Sequence, residues 1–298
     1  MDEATQKSVL SDATVKEAMR VQVLSLSAAS PINHGIRQLI KYKSNAFLVN
    51  GEGGAPVGVV SKTDIIGAYY AGLPIESPLG DIMVSPPMFC SPGDSLESAL
   101  DTMRSQRIYR LYVRNEASNE VVGALAYPDI VGLLYGYCRS CDRSVMNRKK
   151  NRAEDPDEMR IRVKDVMTES VVWSHDDDNL SQIMEELSEH RCGAVLIRNR
   201  SRRPISVISK TDLILAYARG IQSEAPARNV LASSRVISCQ DSTFLEDAIR
   251  KMILSDLQRL FAWSEIPENI VGVISLSDAA RVRSGSCHAC ISSRIRVE

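Results

Sequence analysis

The chain has 298 residues, 44% of them apolar and 24% charged, the profile of a globular protein with room for two domains of ~150 residues. Lys plus Arg (36) and Asp plus Glu (37) nearly cancel to a formal charge of -1, which argues against a protein built to grip phosphate backbones. No apolar run approaches the ~20 residues that span a bilayer. The opening Met1–Lys7 is acidic and polar, without the build of an export signal, so a cytoplasmic protein is expected.

In chain order, the first clear element is a helix announced by Ser30-Pro31, a cap followed by a proline at the first helical position, with Ile32, Ile36, Leu39 and Ile40 on one face. A short apolar strand, Ala46–Val49, a polar turn, a second strand, Val57–Val60, and a helix starting near Lys62 follow. The plan recurs with a helix opening at Asp94 (Glu97 three residues on), strands Leu111–Val113 and Val121–Leu125, and a helix near Tyr127. It recurs again with Asp178, Ala194–Ile197, Ile205–Ile208 and Lys210, and finally with Thr243 (Glu246 three residues on), Leu260–Ala262, Ile270–Ile274 and Leu276. Strand and helix alternate, so the fold class is α/β with short sheets, four β-α-β-β-α repeats in all.

The repeats are nested in a duplication. Val15–Met19 matches Val163–Met167, and Val60–Ile65 matches Ile208–Leu213, at one constant offset. Val122, Gly123 and Asp129 match Val271, Gly272 and Asp278 at an offset one residue larger, and the cysteines keep that register. The expected division is 1–142 for the first pair (repeats about 15–72 and 80–137) and 163–298 for the second (about 163–220 and 228–283). Between them, 143–162 is a charge-rich stretch broken at Asp155-Pro156. It reads as a solvated linker rather than a nucleic-acid contact.

Gly58-Val59-Val60-Ser61-Lys62-Thr63-Asp64 and Gly272-Val273-Ile274-Ser275-Leu276-Ser277-Asp278 share one pattern: an apolar strand containing a glycine, then a Ser, then an Asp opening a helix. Ser206–Asp212 lacks the glycine and Gly123–Asp129 lacks the serine. In this pattern the chain resembles the CBS domain, named after cystathionine beta-synthase, over nearly its whole length. The resemblance implies two Bateman modules, each a pair of CBS domains packed through their sheets with nucleotide clefts between them, and a chain that binds an adenine nucleotide and regulates a partner.

Ser at a helix start with Asp three residues on is also a capping box, which satisfies helix N-terminal N–H groups without any ligand. The resemblance assigns the pairs Ser61/Asp64, Ser209/Asp212 and Ser275/Asp278, with Asp129, to ribose contact. Helix-start amides and Lys62 and Lys210 are candidate phosphate donors. Arg110 and Arg259 stand where CBS domains often carry an Arg before the strand; they suit bidentate phosphate contact or are plain strand-edge charges. Repeat four has the fullest set. Repeat two, with Ala126 and Pro128, is the copy expected to be empty or altered.

Catalysis finds little in the sequence. His34, His175, His190 and His288 sit in no Ser/His/Asp or H-E-x-x-H arrangement, and no phosphate-binding glycine motif occurs. The seven cysteines include two C-x-x-C motifs, Cys138/Cys141 and Cys287/Cys290, in matching register. If the halves meet on a pseudo-twofold axis, the four thiolates make a tetrahedral site for Zn, or alternatively Fe. Separate dithiols or disulfides are the plainer alternative. The expectation is a non-enzymatic sensor of AMP, ADP, ATP or an S-adenosyl ligand, acting on a protein partner that the sequence does not name; a homodimer stays open. The rival is a metal or redox sensor worked by the C-x-x-C pairs.

Overall fold

The structure, a computed structural model, describes residues 13–140, 161–231 and 236–281. A one-turn helix, α1 (Val15–Ala18), precedes repeat one: β1 (Ser25–Ser27), α2 (Ile32–Lys41), β2 (Ala46–Asn50), β3 (Pro56–Ser61) and α3 (Lys62–Tyr70). Repeat two is β4 (Phe89–Cys90), α4 (Leu96–Ser105), β5 (Arg110–Arg114), β6 (Val121–Ala126) and α5 (Tyr127–Ser140). Repeat three is β7 (Trp173–His175), α6 (Leu180–Glu189), β8 (Ala194–Arg198), β9 (Pro204–Ser209) and α7 (Lys210–Ala218). Repeat four is β10 (Ser238–Gln240), α8 (Leu245–Leu254), β11 (Arg259–Trp263), β12 (Ile270–Ser275) and α9 (Leu276–Arg281). The expected α/β class and the four-fold β-α-β-β-α plan are what the chain adopts.

Each repeat owns a three-stranded sheet whose first two strands run parallel and whose last two run antiparallel. The geometry follows from the connections: a parallel pair needs a crossover, which the first helix supplies, whereas an antiparallel pair closes through a tight turn. Those turns carry residues in the left-handed region: Gly53 and Gly54 in repeat one, and Asn119, Arg202 and Glu265 in the others.

The first helices start one residue later than their sequence signals suggest. Pro31, Ser95, Asn179 and Phe244 are the caps, all extended, ahead of Ile32, Leu96, Leu180 and Leu245. The reason is pairing: each cap residue makes an isolated bridge, Pro31 to Pro78, Ser95 to Thr14, Asn179 to Pro226 and Phe244 to Arg162. Asp94 and Asp178 are therefore not caps. Their carboxylates instead accept the N–H of Ser91 (2.8 Å) and His175 (2.6 Å), closing the turn before the helix.

Two compact units emerge, and each takes one repeat from each half of the duplication. The first comprises repeats one and three (Val23–Met88 with Val171–Val236), the second repeats two and four with the segment ahead of β1. In the repeat one–three unit, Ile32, Ile36, Leu39, Phe47 and Val60 join Leu180, Ile183, Leu187, Val195 and Ile208 in one continuous apolar core. Helices α3 and α7 pack side by side in that unit. Tyr69 and Tyr217 stack with ring centroids 4.8 Å apart and planes 10° from parallel. Each phenol donates across the pair, Tyr69 to the Ile221 carbonyl and Tyr217 to the Leu73 carbonyl, both at 2.6 Å. In the other unit α5 packs on α9, and the core includes Leu96, Met103, Leu111 and Val113 beside Leu245, Met252, Leu260 and Ile274.

Candidate functional site

The second helix of each repeat opens at the end of its third strand, so the same short turn is presented four times. In three copies a serine caps the helix and an aspartate three residues on answers it. Ser61 donates both its N–H and its hydroxyl to Oδ2 of Asp64, each at 2.7 Å. Ser209 does so to Oδ2 of Asp212 (2.8 and 2.6 Å), and Ser275 to Oδ2 of Asp278 (2.9 and 2.6 Å). Capping is thus real chemistry at these positions. In Asp64 and Asp212 both serine hydrogen bonds fall on Oδ2.

Repeat two differs. Ala126 contributes only its N–H, 2.9 Å from Oδ2 of Asp129, and Oδ1 is taken by Nε of Arg20 at 2.5 Å. Arg20 lies outside the motif, on the segment after α1. Nothing in the local pattern flagged it; the duplication alone, which aligns Met19 with Met167, marks that segment as part of the repeat.

That segment also explains the motif's glycine. Arg20 exchanges two backbone hydrogen bonds with Ala124, each 2.9 Å, which lays Met19 over Gly123. A Cβ on Gly123 would sit 2.7 Å from the Met19 sulfur and 2.9 Å from the Arg20 carbonyl oxygen. Met83 lies over Gly58 and Met167 over Gly272 in the same way, with Val84 bridging Val59 and Thr168 bridging Val273. The glycine serves close approach of a backbone strap. Ser206 occupies that place in repeat three.

Of the predicted phosphate donors, Arg259 pairs directly across the strands with Ser275, three residues from Asp278, so repeat four brings Arg259, Ser275 and Asp278 together. Arg110 holds the equivalent place opposite Ala126. Lys62 and Lys210 reach across the α3–α7 contact: Nζ of Lys62 donates to Thr211 Oγ1 (2.9 Å) and Nζ of Lys210 to Thr63 Oγ1 (2.8 Å). The equivalent residue in repeat two, Tyr127, is buried and meets the exposed ring of Tyr109 edge-on.

Burial holds the Asp64 carboxyl above its ordinary value of 3.8, against the pull of the Ser61 donors and of nearby Lys210. A raised folded-state value means that Asp64's favourable contribution to stability is complete below 3.8 and is lost as pH rises through the folded value. At neutral pH the ionised group is therefore held at a cost that further donors would offset. A carboxyl-carbon NMR titration should place the Asp64 midpoint above 3.8, and Ser61→Ala should raise it further by removing one donor. A midpoint at or below 3.8 would refute the burial account.

Elsewhere, an open cavity of about 360 Å³ lies at the hairpin end of repeat three, lined by Asp176, Asp177, Asn199, Arg200, Ser201 and Arg228. It is at the opposite end of β9 from Ser209. Burial pushes the Cys90 thiol up to about 12 and raises that of Cys239, so neither is an activated nucleophile. His34 faces Gln38, His190 faces Glu186, and His175 packs edge-on to Trp173. Cys138 falls in the last turn of α5, while its side chain and Cys141, Cys287 and Cys290 lie outside the described residues. Among the described residues no group of His, Cys, Asp or Glu is placed to hold a metal ion, and no helix is long and apolar enough to cross a membrane.

Four equivalent helix-start turns on four small sheets define a tandem-repeat protein with one candidate ligand position per repeat. The CBS domain profile matches residues 15–71, 79–136, 163–219 and 227–285, and the chain belongs to the CBS domain family, with four domains in two tandem pairs. It is 25% identical over 187 residues to the uncharacterized protein MJ1225 of Methanocaldococcus jannaschii, a match covering 63% of this chain and 64% of that one. It is 22% identical over 125 residues to the uncharacterized protein MK0525 of Methanopyrus kandleri, covering 41% of this chain and 62% of that one. Both matches span less than two thirds of the relative's length. The crystal structure of MJ1225, described as a candidate archaeal homologue of γ-AMPK, superimposes with a TM-score of 0.72 at 14% identity, covering 89% of this chain and 98% of that one. A conserved protein from Pyrococcus horikoshii gives 0.57 at 15% identity, covering 91% and 100%.

Proposed function

We propose that this chain is a non-catalytic regulatory protein that binds an adenosine ligand (AMP, ADP, ATP or an S-adenosyl compound) at its CBS helix starts and passes occupancy to a protein partner in the cytoplasm. One observation carries the reading: capping occupies only Oδ2 of Asp64 and Asp212, so the same carboxylate has an oxygen for a ribose hydroxyl. A hydroxyl donor there would also relieve the desolvation that raises Asp64. In this proposal Ser61, Asp64, Ser209, Asp212, Ser275 and Asp278 hold ribose, while Lys62, Lys210 and Arg259 serve the phosphate with the helix-start amides. Arg110 and Asp129 form the altered copy. Signalling needs only that the ligand favour one arrangement of the chain over another, and its size is bounded by that difference in affinity.

Isothermal titration with AMP, ATP and S-adenosylmethionine tests it. Saturable binding by at least one is expected, and failure of all three refutes the adenosine reading. The titration should be run on metal-replete and metal-stripped protein, because the register of Cys138/Cys141 with Cys287/Cys290 in the duplication supports a separate proposal of a four-thiolate Zn or Fe site. Metal analysis should then give about one ion per chain, lost when either pair is changed to Ser. A metal-free chain leaves the dithiol alternative.

A further inference from the structure

We infer that Arg20 is a built-in competitor that closes the repeat-two position to adenosine ligands. The inference rests on the reading of the motif aspartates as ribose acceptors. The strap residue following the methionine is Val84 in repeat one, Thr168 in repeat four and Arg20 in repeat two, so only the last of these three brings a cation to the helix start. Its Nε sits 2.5 Å from Oδ1 of Asp129, the oxygen that capping leaves untouched in Asp64 and Asp212. Asp129's side chain is 7% exposed while that of Arg20 is 68% exposed, so the guanidinium lies over the carboxylate as a cover.

Ala126 offers no hydroxyl, so a nearly buried carboxylate has lost the donor its counterparts receive from serine, and Arg20 supplies a stronger, charge-assisted one. The strap is also fixed: the Arg20 N–H and carbonyl both bond Ala124, and its carbonyl would meet any Cβ on Gly123 at 2.9 Å. The backbone that carries Arg20 is therefore held beside the repeat-two helix start without a loop-ordering cost. A ribose hydroxyl must displace a cation from an anion to enter, and it returns a weaker hydrogen bond.

The test counts AMP-binding events per chain by isothermal titration in the wild type, Arg20→Met, Arg20→Gln and the double variant Arg20→Met/Asp129→Ala. Removing the guanidinium should add one binding event, or tighten the weakest one about tenfold or more, and Asp129→Ala in the same chain should abolish the gain. The glutamine variant reads the same gain if the methionine variant folds poorly. An unchanged number and strength of events in folded Arg20 variants overturns the inference, as does a gain that survives Asp129→Ala. Asp64→Ala, Asp212→Ala and Asp278→Ala separate the two levels. If these weaken AMP binding but the Arg20 variants add nothing, only the closure falls; if none of the three matters, the ribose reading falls and the closure with it.

Discussion

Asp278→Ala should weaken adenosine-ligand affinity by about 1.5–3 kcal/mol, or roughly 10- to 150-fold, the usual worth of a hydrogen bond to a charged group. Repeat four is the copy where the structure sets Arg259 opposite Ser275 and places Asp278 in the same turn. Because Asp278 also caps α9, its loss carries a structural cost of about 1 kcal/mol, typical for a helix cap. Affinity and melting temperature together separate the two roles. A large affinity loss in a chain that still folds identifies a ligand contact. Unchanged affinity with a lowered melting temperature would reduce Asp278 to a cap. Asp129→Ala should change affinity little, since Arg20 already occupies its oxygen.

Tyr69→Ala should lower the stability of the repeat one–three unit by about 3–5 kcal/mol, the range for emptying a buried aromatic position, and Tyr217→Ala should do likewise. Both rings are nearly buried, stacked on each other, and tied by their hydroxyls to carbonyls of the opposite repeat. Burial pushes the Tyr69 phenol up to about 12 and raises that of Tyr217, so both remain protonated donors at any physiological pH. The double alanine variant should cost less than the two singles together, because each deletes part of the same contact. Tyr69→Phe keeps the stack and leaves the Ile221 carbonyl short of a donor, a loss of about 1–3 kcal/mol. Urea midpoints measure all four. Strict additivity of the alanine variants would mean that the stack contributes nothing.

The repeat plan was legible because a helix face such as Ile32, Ile36 and Leu39 and a strand such as Val57–Val60 carry their periods in the sequence itself. The second helices begin at Lys62, Tyr127, Lys210 and Leu276, as the motif indicates, since its Asp, preceded by the capping Ser in three copies, is a local signal. The first helices begin a residue late because Pro31, Ser95, Asn179 and Phe244 are claimed by partners far along the chain, and no local rule contains those partners. The motif glycine is a similar case: its spacing is visible, yet its reason, a methionine strap, is tertiary. Arg20 meets Asp129 across 109 residues, so the altered chemistry of repeat two was visible in Ala126 while its occupant was not.

The segment after α1 completes repeat two although it precedes repeat one, and the segment holding Pro78 and Val84 completes repeat one. The polypeptide therefore weaves back and forth between the two units rather than finishing either in one pass. During synthesis, the repeat one–three unit has its last element only once residue 236 has been made, and the other must wait for repeat four. Early repeats then leave the ribosome with half of a core uncovered, and closing it requires loops of well over a hundred residues, the kind of non-local pairing that folds slowly. Half-chains released by a nick between repeats two and three would each carry one repeat of each unit, so what binds them back together is the core itself.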